Sequence, residues 1–134
     1  MKIKQIIKKT PVISSIAKRL YLKLLAPGVF KSSDYWEMRY KNGGNSGDGS
    51  YNVLAEYKAK IINKYVKSNN VKTIIEYGCG DGNQLALFNF KSYVGFDVSK
   101  TIILKCQKLY SSDNSKIFKT MENYNYDKAE LTIR

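Results

Sequence analysis

The segment from Val71 to Gln84 constrains this chain more than any other. Val71-Lys72-Thr73-Ile74-Ile75-Glu76-Tyr77 is β-branched and aromatic, the composition of a buried strand. It runs directly into Gly78-Cys79-Gly80-Asp81-Gly82-Asn83-Gln84. A strand that ends in closely spaced glycines and leads into a helical segment places a tight backbone turn at the carboxyl edge of a sheet. That is the setting in which nucleotide-like ligands are held. Gly78 and Gly80 let the backbone approach such a ligand without a Cβ in the way. The N–H groups of a following helix would face a carboxylate or phosphate.

The rest of the chain supplies a context for that turn. Tyr51–Ser68 reads as a helix, with Val53, Tyr57, Ile61 and Tyr65 repeating every four residues beside Leu54, Ile62 and Val66 as an apolar stripe. A short helix is expected over 83–89 and a second strand at 93–96. Ser99 is placed to cap a helix whose inward residues are Ile102, Ile103, Cys106, Leu109 and Tyr110. A weak strand follows at 115–118, and the start of a fourth at 129–133. Strand, helix, strand, helix, strand is the pattern of a parallel, doubly wound α/β sheet. Upstream, Asp34 is an N-cap candidate for a short helix over 35–40. Residues 41–50, with four glycines, read as a flexible loop.

Charge divides the chain. Residues 1–31 hold eight basic side chains and no acid, whereas 32–134 hold 15 basic and 11 acidic ones, so much of the net charge of +12 sits in the N-terminal part. The boundary falls near Ala26-Pro27-Gly28. Within 1–31, Ile13, Ile16, Leu20 and Leu24 share a helical face with Lys18, Arg19 and Lys23 off it, the design of a basic amphipathic arm. Such an arm either lies on an anionic membrane surface or packs on protein. With the remainder only mildly basic, no specific nucleic-acid partner is expected. Two cysteines and no histidine leave neither a disulfide framework nor a zinc set, and a reducing cytoplasm is the expected compartment. No apolar run approaches the roughly 20 residues of a membrane span.

A second acid, Asp97, closes the second strand 19 positions after Gly78, where a carboxylate accepts hydrogen bonds from ribose hydroxyls. The glycines run G-x-G-x-G, and Asn83 stands where a dinucleotide fingerprint has its third glycine. With Glu76 two residues ahead of the loop, the segment resembles motif I of class I S-adenosylmethionine-dependent methyltransferases. Gly95-Phe96-Asp97-Val98-Ser99 resembles their next motif. Tyr35-Trp36-Glu37-Met38-Arg39-Tyr40 resembles the W-x-x-R-Y segment that precedes the fold in several members. The likeness covers roughly 33–134, and its texture is similar to a bacterial subgroup associated with surface-glycan gene clusters.

The resemblance implies a Rossmann-like fold, S-adenosylmethionine as cofactor and a methyl acceptor of unknown class as partner. It implies that Glu76 helps hold the methionine part and Asp97 the ribose. Gly78 and Gly80 line the loop, and Cys79 and Gly82 offer backbone contacts. Trp36 and Tyr40 would shield the sulfonium, and Arg39 would reach the methionine carboxylate; for the aromatics, plain core packing is the competing reading. Catalytic residues are not identified. The family's sheet is longer than three strands and the start of a fourth, so the chain reads as a truncated N-terminal portion with doubtful activity alone and an open apolar edge on its first strand. The alternatives are a non-catalytic binding module that completes its sheet with a partner chain, a nucleotide-linked dehydrogenase, which Asn83 disfavours, and nucleic-acid binding through the arm.

Overall fold

A computed structural model describes residues 31–125 and 128–134. The basic arm lies outside them, as does the arm's side of the domain boundary. Three α-helices are described, α1 (Ser32–Lys41), α2 (Asn52–Ser68) and α3 (Lys100–Leu109), with strands β1 (Thr73–Tyr77), β2 (Ser92–Asp97), β3 (Lys116–Thr120) and β4 (Leu131–Ile133). All pairings are parallel, in the order β3-β2-β1-β4. The expected α/β architecture is therefore present. No described helix is long and apolar enough to cross a membrane.

The strands form where β-branched and aromatic residues allow burial on both faces. Ile74, Tyr93 and Phe96 are almost wholly buried. Phe88, Phe90 and Tyr93 stack in a row, with centroids 4.5 and 5.9 Å apart. The first strand's edge is not open. β4 pairs with Ile74–Glu76, and Leu131 and Ile133 pack against the core. The Glu130 carboxylate accepts the backbone N–H groups of Lys72 and Thr73, which anchors the strand's entry.

Four other expectations are corrected. The helix over 83–89 is a single 3-10 turn, Leu85–Leu87. Seven residues scarcely repay helix nucleation. Asn63 of α2 also holds the exit: its amide donates to Leu87 O and its carbonyl accepts from Asn89 N, both at 2.9 Å. Most of the apolar stripe on α2 faces outward, with Val53, Leu54, Tyr57, Ile61 and Tyr65 all at least half exposed. Of that pattern, Val66 is buried and Ile62 packs against the core, and Ala55 and Ala59 complete the buried face. Small residues four apart let its backbone lie close to the layer beneath, and the Gln84 amide donates to Ala55 O at 3.0 Å, fixing the rotation. In α3, Ile102, Ile103 and Cys106 are buried as expected and Ser99 caps the helix, but Leu109 is exposed. α1 begins at Ser32, so Asp34 lies in its first turn, where a carboxylate complements the helix dipole.

Candidate functional site

β1 and β2 end side by side, with Tyr77 in register with Phe96. Their ends are tied by one carbonyl: Phe96 O accepts from Gly78 N at 2.7 Å and from Cys79 N at 3.0 Å. The Gly loop therefore starts pinned to β2. It turns through three left-handed glycines, Gly78, Gly80 and Gly82. A Cβ on Gly78 would meet nothing within 4 Å, so that side of the loop is open. At Gly80 a Cβ would run into Ser46 Oγ.

A crevice of about 560 Å³ opens above the loop. Of the residues singled out by sequence, Gly78, Gly80, Asp97, Trp36 and Tyr40 line it. Trp36 and Tyr40 come from α1 and stack at 5.7 Å. Asp97 is buried, and its oxygens accept from Gly80 N at 3.0 Å and Ser99 N at 2.9 Å. Burial raises its pKa against those hydrogen bonds.

The other four lie around the crevice and not in its lining. Glu76 is buried behind the loop and accepts the Tyr93 hydroxyl at 2.6 Å; burial raises its pKa. Cys79 is buried and its thiol is pushed far up by burial, which makes it inert. Gly82 accepts the Tyr110 hydroxyl at its carbonyl, 2.8 Å. Arg39 donates to the Asn45 carbonyl at 2.7 Å and to the Asn45 side chain at 3.2 Å, and sits over the Trp36 ring.

Sequence reasoning passed over three groups that shape the site. Ser46 lines the crevice. It belongs to the glycine-rich loop, which is pinned where a flexible segment was expected. Ser46 N donates to Asp81 Oδ2 at 3.0 Å, Asp81 N donates to Ser46 Oγ at 2.8 Å, and the Tyr40 hydroxyl lies 3.1 Å from the same oxygen. Asp81 also accepts the Tyr51 hydroxyl at 2.7 Å. Burial would raise its pKa, but the hydrogen bonds from Tyr51, Ser46 and Asn83 outweigh it and hold the group low. Burial, above all, lifts Tyr40 and Tyr51 to about 12, so both hydroxyls stay protonated. The third group is Glu37, which joins α1 to the start of α3: its carboxylate accepts from the Ser99 and Thr101 hydroxyls, each at 2.6 Å. The sequence signal for Asp81 was its place between Gly80 and Gly82. For Ser46 and Glu37, no local signal announces a partner 35 or 62 residues away.

The sequence matches no protein-family model and no curated protein. Its fold has solved counterparts. It is similar to magnesium protoporphyrin IX methyltransferase from Synechocystis PCC 6803, solved with bound SAH, with a TM-score of 0.52 and 16% identity over 75% of this chain and 54% of that one. It is also similar to a Staphylococcus aureus protein described as a caffeoyl-CoA O-methyltransferase, with a TM-score of 0.51 and 17% identity over 87% of this chain and 59% of that one. The chain thus spans somewhat over half the length of each. At these identities the likeness is one of fold: four parallel strands with the Rossmann-like architecture of class I methyltransferases.

Proposed function

We propose that the crevice binds S-adenosylmethionine and that residues 32–134 are the cofactor-binding portion of a methyltransferase. The observation that carries this reading is the convergence of Gly78, Gly80 and Asp97 on one crevice under Trp36 and Tyr40.

Charge supports a cationic ligand. Asp97 is in the lining, Asp81 lies within the loop, Glu76 lies two residues ahead of it on β1, and Arg134 is the one basic residue among the described lining. S-adenosylmethionine brings a sulfonium and an ammonium against one carboxylate, whereas a dinucleotide brings two phosphates. The Gly loop also leads into a 3-10 turn, so it lacks the helix N-terminus that a pyrophosphate uses.

In this reading Asp97, which accepts backbone hydrogens on both oxygens, keeps lone pairs for the ribose hydroxyls. The open side of Gly78 and the backbone of Cys79, Gly80 and Gly82 border the methionine part, and Glu76 supports the loop from beneath. Trp36 and Tyr40 offer aromatic faces to a sulfonium. Arg39 serves the carboxylate only once released from Asn45. Bound there, the cofactor would supply an electrophilic methyl group for transfer to an acceptor's electron pair, with the carbon–sulfur bonding pair left on sulfur. The chain's own part is to orient the cofactor and exclude water. A binding module differs only in lacking the transfer step. The basic amphipathic pattern over 1–31 suits either an anionic membrane surface or packing on protein.

Equilibrium dialysis of labelled S-adenosylmethionine tests this. Binding displaced by S-adenosylhomocysteine and not by NAD is expected. Displacement by NAD, or no binding by folded chain, would overturn the reading.

A further inference from the structure

We infer that Glu37 is a positioning residue that fixes helix α1 over the crevice by capping the N-terminus of helix α3 from outside it. The inference rests on the reading of the crevice as a cofactor site.

The first turn of α3 contains no acid of its own. Its cap, Ser99, spends its oxygen on Ile102 N at 3.2 Å. Two further donors there, the Ser99 hydroxyl and Thr101 N, need an acceptor. Glu37 Oε2 takes both, at 2.6 and 3.2 Å, and Glu37 Oε1 takes the Thr101 hydroxyl at 2.6 Å. A carboxylate at this end of a helix is further favoured by the dipole. The Ser99 and then the Thr101 hydrogen bonds bring its pKa down to about 2, so it is ionised at any working pH. Lys41, one turn along α1, adds an exposed ion pair at 3.3 Å.

This anchor adds to the Tyr40–Ser46 contact and the Arg39–Asn45 hydrogen bonds of α1 and ties the helix to α3. Tyr40 is its only buried residue. Trp36 precedes Glu37 directly and Tyr40 follows within a turn, so the latch sets both aromatic rings. It also sets the ribose carboxylate, because Ser99 donates its N–H to Asp97 Oδ1 and its hydroxyl to Glu37. One side chain thereby aligns the cover of the crevice with its floor. It touches no reacting atom itself.

Trp36 is the only tryptophan and reports the latch directly. Its emission is recorded for the full chain during titration with S-adenosylhomocysteine, in wild type, Glu37→Gln, Thr101→Val and Lys41→Gln. For Glu37→Gln we expect red-shifted emission without ligand, a Tm lowered modestly at neutral pH, and affinity lowered about tenfold or more. Thr101→Val gives the same pattern in weaker form, and Lys41→Gln behaves as wild type. Unshifted emission with wild-type affinity in Glu37→Gln would overturn the inference. If wild type itself binds nothing, the cofactor reading falls, and the ligand-free emission still decides the latch: unshifted, it too is overturned.

Discussion

Tyr93 donates its hydroxyl to Glu76 across the β1–β2 pair at 2.6 Å, and both side chains are buried. Glu76 is raised above the usual carboxylate range because burial outweighs that hydrogen bond. A raised carboxylate contributes stability that is present below its unfolded pKa and is lost as pH rises through the folded one. Removing the donor raises Glu76 further. Tyr93→Phe should therefore cost about 1–3 kcal/mol, with the larger cost at pH 8 and the smaller at pH 4.5. Urea denaturation at the two pH values checks this, and an equal cost at both would contradict it.

Gly80 and Ser46 form a second pair. Gly80 has a φ of 58°, and a Cβ there would strike the Ser46 hydroxyl. Gly80→Ala should cost about 1–3 kcal/mol from backbone strain and the lost contact. Ser46→Gly clears the space, so the double variant should be less destabilised than the sum of the two singles. Additive costs would show that the loop does not rest on Gly80.

Helix α2 gives a test in which periodicity and structure disagree. Tyr57→Ser and Ile61→Ser should change stability by no more than about 0.5 kcal/mol, since both side chains are exposed. Ala59→Leu should cost about 1–3 kcal/mol by overpacking. Thermal or urea melts of the three variants decide it, and the reverse order would restore the stripe as the buried face.

Glu37 predicts an acid limb in stability. Its folded pKa of about 2 lies below the ordinary 4.5, so its contribution is full above about pH 4.5 and is lost as pH falls toward 2. Glu37→Gln should shallow the fall in Tm across that window. An unchanged acid limb would contradict the latch.

The strands and the Gly loop were legible because their signals are local: β-branched runs, left-handed glycines and an acid at a strand end. Ser99 as a cap was legible for the same reason. The rotation of α2 was not, because it is set by Asn63 and Gln84 reaching other segments and by alanines that carry no amphipathic signal. The 83–89 helix failed because tertiary hydrogen bonds to Asn63 end it after one turn. Within the site, Gly78, Gly80, Asp97, Trp36 and Tyr40 were gathered as the sequence suggested. The Ser46–Asp81 and Glu37–Ser99 pairs are long-range hydrogen bonds that no spacing rule encodes.

The most direct test is titration calorimetry of the purified chain with S-adenosylmethionine, beside Asp97→Ala. The account predicts saturable binding by wild type and a loss of about tenfold or more in the variant, the scale of removing charged hydrogen bonds to the ribose. Equal affinity in the two proteins, or no binding by folded wild type, would contradict it.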